Sequence, residues 1–178
     1  MTTKALSTVG SKVYFLDTSV SPHVVIPIDQ LKGFAPVGGP RKKIDKSNMD
    51  SAGCDEYEGG RAAPAEASGE LVLDMTNAHH QAIRRAFKAG ANGTIGPLQF
   101  YDGDSDGTSP PTIVSSTLTP PTTGSPKTYT RSGRAGLGYI ADFSVKKTDN
   151  DIIRADFKVQ PTGFWAETVK GDAFAKTY

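Results

Sequence analysis

Apolar and polar positions alternate most cleanly in two stretches near the end of the chain. In the first, Tyr139, Ala141, Phe143 and Val145 fall on one side and Asp142, Ser144 and Lys146 on the other. In the second, Ile153, Ala155, Phe157 and Val159 oppose Arg154, Asp156, Lys158 and Gln160. A period of two predicts half-buried strands, and the polar run Lys147-Thr148-Asp149-Asn150-Asp151 predicts the hairpin turn between them. Shorter β-type runs cover Lys12–Leu16, His23–Ile26, Gln30–Ala35, Glu70–Asp74 and Pro97–Tyr101. One stretch changes period: Ala78, Ala82, Ile83, Ala86 and Phe87 recur at helical spacing, opposite Asn77, His80, Gln81, Arg84, Arg85 and Lys88. This predicts one short amphipathic helix, N-capped by Thr76 or Asn77 and closed by a left-handed Gly90.

Between these elements lie stretches with no period. Residues 36–69 are loop-like with charges of both signs, and residues 102–127 are rich in Pro, Thr, Ser and Gly. Connections of that length are either functional or disordered, and contact with other copies is the most economical way to order them. The predicted fold class is mainly β: sandwich or barrel-forming sheets, one flanking amphipathic helix and long extended loops. It is read as a single domain over 1–178, with a C-terminal arm at 164–178.

Composition supports this reading. Only 37% of residues are hydrophobic, while 19 glycines and 12 prolines supply turns. Twenty basic residues against 19 acidic ones leave no net field to draw the chain to nucleic acid or an anionic membrane. A single cysteine, Cys54, excludes an intrachain disulfide and any cysteine-built metal site. No apolar run approaches the ~20 residues that span a bilayer, and the first residues lack a signal-peptide core. The expectation is a soluble protein made in a reducing compartment, with no membrane anchoring.

Candidate chemistry is thin. Tyr101-Asp-Gly-Asp-Ser-Asp-Gly107 satisfies both D-x-D-x-D-G, the opening of a calcium loop, and G-x-S-x-G, a nucleophile elbow. Position twelve from Asp102 is Ile113 rather than a bidentate Glu, and Pro110-Pro111 interrupts the loop. The same prolines forbid the helix that an elbow requires after Ser105, and all three histidines precede that serine. The stretch reads as a turn. His79-His80 are adjacent, so on a helix they point about 100° apart and do not share a metal; they read as solvent- or interface-facing. Arg84, Arg85 and Lys88 read as a solvated face or as ion-pair donors to a neighbouring subunit. Gly133-Arg-Ala-Gly-Leu-Gly138 has the order G-x-x-G-x-G and precedes a strand, which fits neither a dinucleotide nor a phosphate loop. No catalytic, cofactor or metal residue emerges, and the chain is not read as an enzyme.

The order of pieces nevertheless resembles a family. IDKSNMDSAGCDEYEGG, ASGELVLDMTNAHHQAIRRAFKAG, LQFYDGD and GLGYIADFSVKKTDNDIIRADFKVQPTG, in that sequence, resemble the major tail tube protein of long-tailed bacteriophages over Ile44–Phe164. The resemblance implies a β-sandwich with a flanking helix whose copies form six-membered rings. Their hairpins join into a barrel around a lumen, and the rings stack around a tape-measure protein. Terminator and baseplate or tail-tip proteins then close the ends, and DNA passes transiently and without sequence preference. The implied location is the virion tail, assembled in the host bacterial cytoplasm. On this reading Asp142, Ser144, Lys146, Arg154, Asp156 and Lys158 are candidate lumen-facing residues, with a solvent-exposed outer face as the alternative. Asp45, Asn48, Asp50, Asp55, Glu56, Glu58 and Arg61, in the first long loop, are candidates for contact between rings. The type VI secretion tube protein is similar in fold. A small β-sandwich binding module, stacking ligands on Trp165, Tyr101 and Tyr139, is the competing reading from another class, and a calcium-dependent hydrolase is a third.

Overall fold

Every position from Val13 to Asp17 of the first strand, β1 (Lys12–Asp17), is buried. Val13 and Phe15 join one apolar cluster while Tyr14 and Leu16 join a second, so the strand is covered on both faces. The computed structural model describes residues 11–34, 66–147 and 153–175 in full, together with the backbone of 38–45 and 57–64. After β1 come β2 (Val24–Pro27), β3 (Leu31–Lys32), β4 (Gly38–Asp45), β5 (Tyr57–Pro64) and β6 (Ala67–Val72). The helix α1 (Ala78–Ala91) and β7 (Leu98–Gly103) follow. Four short strands, β8 (Thr112–Val114), β9 (Thr117–Thr119), β10 (Thr122–Thr123) and β11 (Thr128–Tyr129), lead into β12 (Gly133–Lys146), β13 (Arg154–Pro161) and β14 (Ala166–Thr168).

The main sheet is antiparallel in the order β2-β1-β7-β12-β13-β6-β3, with β14 added to β12. It curls into a half-barrel, so the fold is mainly β with one helix, as the periodicities predict. The larger cluster gathers Phe15, Leu71, Ile83, Phe100, Phe157 and Val159 from all parts of the curl, each almost wholly buried. Burying side chains of this kind contributes about 1.5–3 kcal/mol apiece.

Both long connections prove to contain strands. Residues 38–45 and 57–64 form a two-stranded sheet, β4–β5, separate from the main one, and β6 begins at Ala67 rather than Glu70. A ribbon pairing only with itself in the sheet order needs no apolar alternation, so none marked it. Residues 102–127 hold the rest of β7, the β8–β9 hairpin and β10. The β8–β9 turn is Ser115-Ser116, both at positive φ (49° and 61°), where such two-residue turns favour Asn-Gly. That choice hid the hairpin.

Asn77 caps α1, its Oδ1 accepting from His79 N at 2.8 Å. The left-handed position after the helix is Gly93, not Gly90, because the helix runs on to Ala91. Ala82, Ile83 and Ala86 are buried as expected, whereas Ala78 is exposed. His80, expected at the surface, is buried. Asp74 N donates to its Nδ1 at 3.0 Å and its Nε2 donates to Asp29 O at 3.1 Å. His79 binds the Asp29 carboxylate at 2.6 Å. The two histidines thus fasten the start of α1 to the β2–β3 turn. Arg85 is also used within the chain: it donates to the buried Asp17 carboxylate at 2.6 Å.

The Asp-Gly-Asp-Ser-Asp-Gly stretch is organised by a residue that sequence reasoning passed over. Arg131 is fully buried; its Nε donates to Asp104 O at 2.6 Å and one terminal nitrogen to Gly103 O at 2.8 Å. Its guanidinium lies 5.9 Å from the centre of the Tyr14 ring. The glycines of the stretch make room for it: a Cβ at Gly103 would fall 2.6 Å from Arg131 Nε. Asp106 Oδ1 accepts from Ser132 N at 2.9 Å, and Asp106 O accepts from Lys170 Nζ at 2.6 Å. Among the described residues no cluster of three or more His, Cys, Asp or Glu is placed to hold a metal ion. The turn reading holds, except that Asp102 and Gly103 belong to β7.

Replacing Arg131 with Ala should therefore lower stability by about 3 kcal/mol, since charge-assisted hydrogen bonds and ring contact are lost together. Urea unfolding of the unassembled protein reads this directly. Asp102 supplies a pH test. Burial, then the neighbouring Asp104, pushes its carboxyl up to about 6, against the pull of Arg134 and Arg131. A raised acid favours the folded state while protonated, so this stability is present at low pH and lost as pH rises from about 4 through about 6. Asp102→Asn should match wild type near pH 4 and exceed it by on the order of 1–2 kcal/mol at pH 8, after allowance for partial water access. Equal pH profiles for the two proteins would contradict the placement.

Candidate functional site

The surface with most organised polar chemistry is built on β6, β13 and the C-terminal half of β12. Ala67 and Leu71, then Ala155, Phe157 and Val159, then Phe143 turn inward and are buried. The alternate positions turn the other way. In register they form rows: Ser68 beside Lys158 beside Asp142, Glu70 beside Asp156 beside Ser144, and Val72 beside Arg154 beside Lys146. All six side chains singled out from the alternation, Asp142, Ser144, Lys146, Arg154, Asp156 and Lys158, therefore share one face.

Its charges pair diagonally between strands. Lys146 Nζ lies 2.7 Å from Asp156 Oδ2, Arg154 3.3 Å from Glu70, and Lys158 3.7 Å from Glu66. Ser144 Oγ donates to the Asp142 carboxylate. The hydrogen bond to Asp156 raises the Lys146 ammonium above its ordinary value. With Glu66 and Glu70 included, four carboxylates meet three cations, so the face is mildly acidic and mostly self-neutralised. The contribution of Glu66, Ser68 and Glu70 was missed because Gly69 interrupts the pattern of β6. A Cβ there would fall 2.5 Å from Gly33 O, so the position admits only the close approach of the chain after β3.

One expected feature of β12 is displaced. Its pairing with β13 skips Ala141, between Ile140↔Val159 and Asp142↔Lys158. This bulge flips the facing of the strand. Upstream, Ile140 is buried and Tyr139 exposed; downstream, Phe143 is buried, while Val145 near the strand end is exposed. The expected apolar set Tyr139, Ala141, Phe143 and Val145 is thus corrected to Ile140 and Phe143.

The three-strand unit has two open edges. β7 pairs with β12 only as far as Gly138, so among the described residues Tyr139–Lys146 have a strand on one side alone. β3 pairs only with Leu71 and Glu70, leaving the earlier part of β6 similarly open. Of the first-loop candidates, Asp45 closes β4 and pairs with Tyr57, and Glu58 and Arg61 lie on β5. Asn48, Asp50, Asp55 and Glu56 fall outside the described residues.

The aromatic platform of the binding-module reading is not formed. Tyr101 is fully buried, and Trp165 stacks on Phe100 at 5.8 Å and 12°. The Trp165 indole lies directly on the backbone at Gly136, where a Cβ would come within 2.0 Å of it, and its Nε1 donates to Leu137 O at 3.2 Å.

Comparison with known proteins agrees with this architecture. Among solved structures, the tail of an empty GTA particle, refined helically in C6 symmetry, superposes with a TM-score of 0.59 at 16% identity over 93% of this chain and 100% of that one. The SPP1 tail tube gives 0.58 at 13% identity over 94% and 80%. A six-fold symmetrised anti-feeding prophage baseplate chain gives 0.56 at 8% identity over 91% and 94%. These likenesses concern the fold. No curated protein matches by sequence. The family model for "Phage tail tube, TTP, lambda-like" matches residues 4–171, and the chain belongs to that family of structural tail tube proteins.

Proposed function

We propose that the paired-charge face of β6, β13 and β12 lines the lumen of a tube built from stacked six-membered rings. The observation that carries this is a single sheet region with one face in the core, the other polar and internally neutralised, and both edges open. Joining the β12 edge of one copy to the β6 edge of the next satisfies the backbone groups that a free chain leaves to water. Six-fold symmetry in the GTA tail supports a six-membered ring for this chain.

The charge pattern suits a conduit. A strongly cationic wall would release counterions from DNA and hold it, whereas a mildly acidic wall with its cations already paired lets the phosphate backbone slide. The role is mechanical rather than enzymatic. Before DNA passes, a tape-measure protein occupies the lumen; terminator and baseplate or tail-tip proteins cap the ends, and assembly takes place in the host cytoplasm. The β4–β5 hairpin with its connecting segment 46–56 carries contact between rings, Asp45, Glu58 and Arg61 lying on its strands.

Two measurements test these assignments. The double variant Lys146→Glu, Lys158→Glu should assemble into tubes of normal shape while genome release from the particles changes; failure to assemble would place these lysines between subunits instead. Replacing residues 38–64 with a short Gly-Ser bridge should leave the main sheet folded, because β4–β5 forms a sheet of its own. The resulting protein should stay unpolymerised at concentrations where the intact chain forms tubes under negative-stain microscopy, and normal tubes would remove the hairpin from that role.

A further inference from the structure

Met75 stands in the turn between β6 and α1, 44% exposed and outside both apolar clusters. Its backbone is held on both sides. Asp74 Oδ1 accepts from Thr76 N at 2.8 Å and from Thr76 Oγ1 at 2.7 Å, and Met75 O accepts from Gln81 Nε2 at 2.9 Å. The side chain is thereby presented to the second turn of α1, where Arg84 Nη1 donates to its sulfur at 3.5 Å.

The two partners are unequal. A thioether is a weak acceptor, whereas a guanidinium offers five donors and binds best to a charged or strongly dipolar oxygen. Arg84 makes no ion pair among the described residues, although its neighbour Arg85 reaches the buried Asp17 carboxylate. The shallow hollow that Arg84 shares with Gln81, Arg85 and Lys88 is lined by no carboxylate either. Arg84 therefore meets a sulfur atom where an oxygen would serve it better, and that sulfur is open to small reagents.

We propose that Met75 is a site of reversible oxidation by peroxides, and that Arg84 captures the resulting sulfoxide, so that oxidation fastens the start of α1 instead of loosening it. In the step, a sulfur lone pair attacks one oxygen of hydrogen peroxide and the O–O bond breaks. Sulfur gives up two electrons and keeps that oxygen; its proton passes to the departing hydroxide, which leaves as water. Return takes two electrons and two protons from a thiol-dependent sulfoxide reductase, with loss of water. In an apolar core the new dipole would disrupt packing. Here the sulfur lies at the surface, and a small rotation brings the added oxygen to about 2.9 Å from Nη1, as a charge-assisted hydrogen bond. The contact lies within one chain and is independent of the tube reading.

The test uses the full chain, unassembled, with Cys54→Ser so that methionine is the only sulfur left to oxidise. Hydrogen peroxide at concentrations that oxidise free methionine should convert Met75, read by peptide mass spectrometry, and methionine sulfoxide reductase should restore it. Urea unfolding before and after treatment then tests the capture. With Arg84 present, the folding equilibrium constant should hold or rise on oxidation. With Arg84→Ala it should fall, the two responses differing by about fivefold, the net worth of one hydrogen bond. Arg84→Lys, which keeps a cationic donor, should recover part of the difference. Met75→Leu should abolish the response, which assigns it to Met75 rather than to Met1 or Met49. A Met75 that resists peroxide overturns the site. Equal responses with and without Arg84, or a response that survives Met75→Leu, overturn the capture.

Discussion

The fold turns on β12, which has to satisfy two different environments along one strand. Its first half, Gly133–Gly138, pairs with β7, and its second half pairs with β13. Core must lie on the inner side at both Ile140 and Phe143, three residues apart, although a regular strand puts such positions on opposite faces. The extra residue at Ala141 resolves the conflict. Without it, either Ile140 would leave the core or the row Asp142, Ser144, Lys146 would be driven into it. Burying even one of those charges unpaired costs far more than the ladder bond that a bulge gives up.

The first half of the sheet reaches its two-sided burial by another device. Tyr14, Leu16, Tyr101 and Leu118 form a second cluster on the face away from α1, and Arg131 sits at its margin with Tyr14 beneath it. A buried guanidinium is tolerable only when its donors are met, and the carbonyls of Gly103 and Asp104 meet them. The acidic residues around that turn favour the cation in turn, which is why a string resembling a metal loop carries an arginine instead. Asp102 bears the cost: burial beside Asp104 holds its carboxyl up at about 6.

What the sequence made legible follows from which physical signals are local. The alternation of β13 and the helical period of α1 are local, and both elements stand where they were expected. Three kinds of feature were not legible. The β4–β5 ribbon lies outside the main sheet and leaves no alternating signature. The Ala141 bulge adds a residue that no periodic reading detects, so the face of Tyr139 was misassigned. His80 and Arg131 look like surface residues in sequence and are buried by partners 51 and 27 residues away, Asp29 and Asp104. For the polar face the outcome was better, because its six members lie downstream of the bulge or on β13, where the period of two is unbroken.

Among the described residues, part of β12 and part of β6 lack a strand neighbour on one side. An open strand edge invites indiscriminate pairing unless something guards it. Along the open part of β12 the guards are the bulge at Ala141, which twists the edge, and the charged end at Lys146 and Lys147. The other open edge, on β6, is short and partly covered by β3. Such protection discourages irregular pairing while leaving backbone donors and acceptors available to a correctly presented neighbour. Contacts made through backbone ladders also ask little of side-chain identity. A sheet of this kind needs inward apolar positions, a curl and two usable edges, a specification loose enough that the fold persists in chains only 8–16% identical to this one.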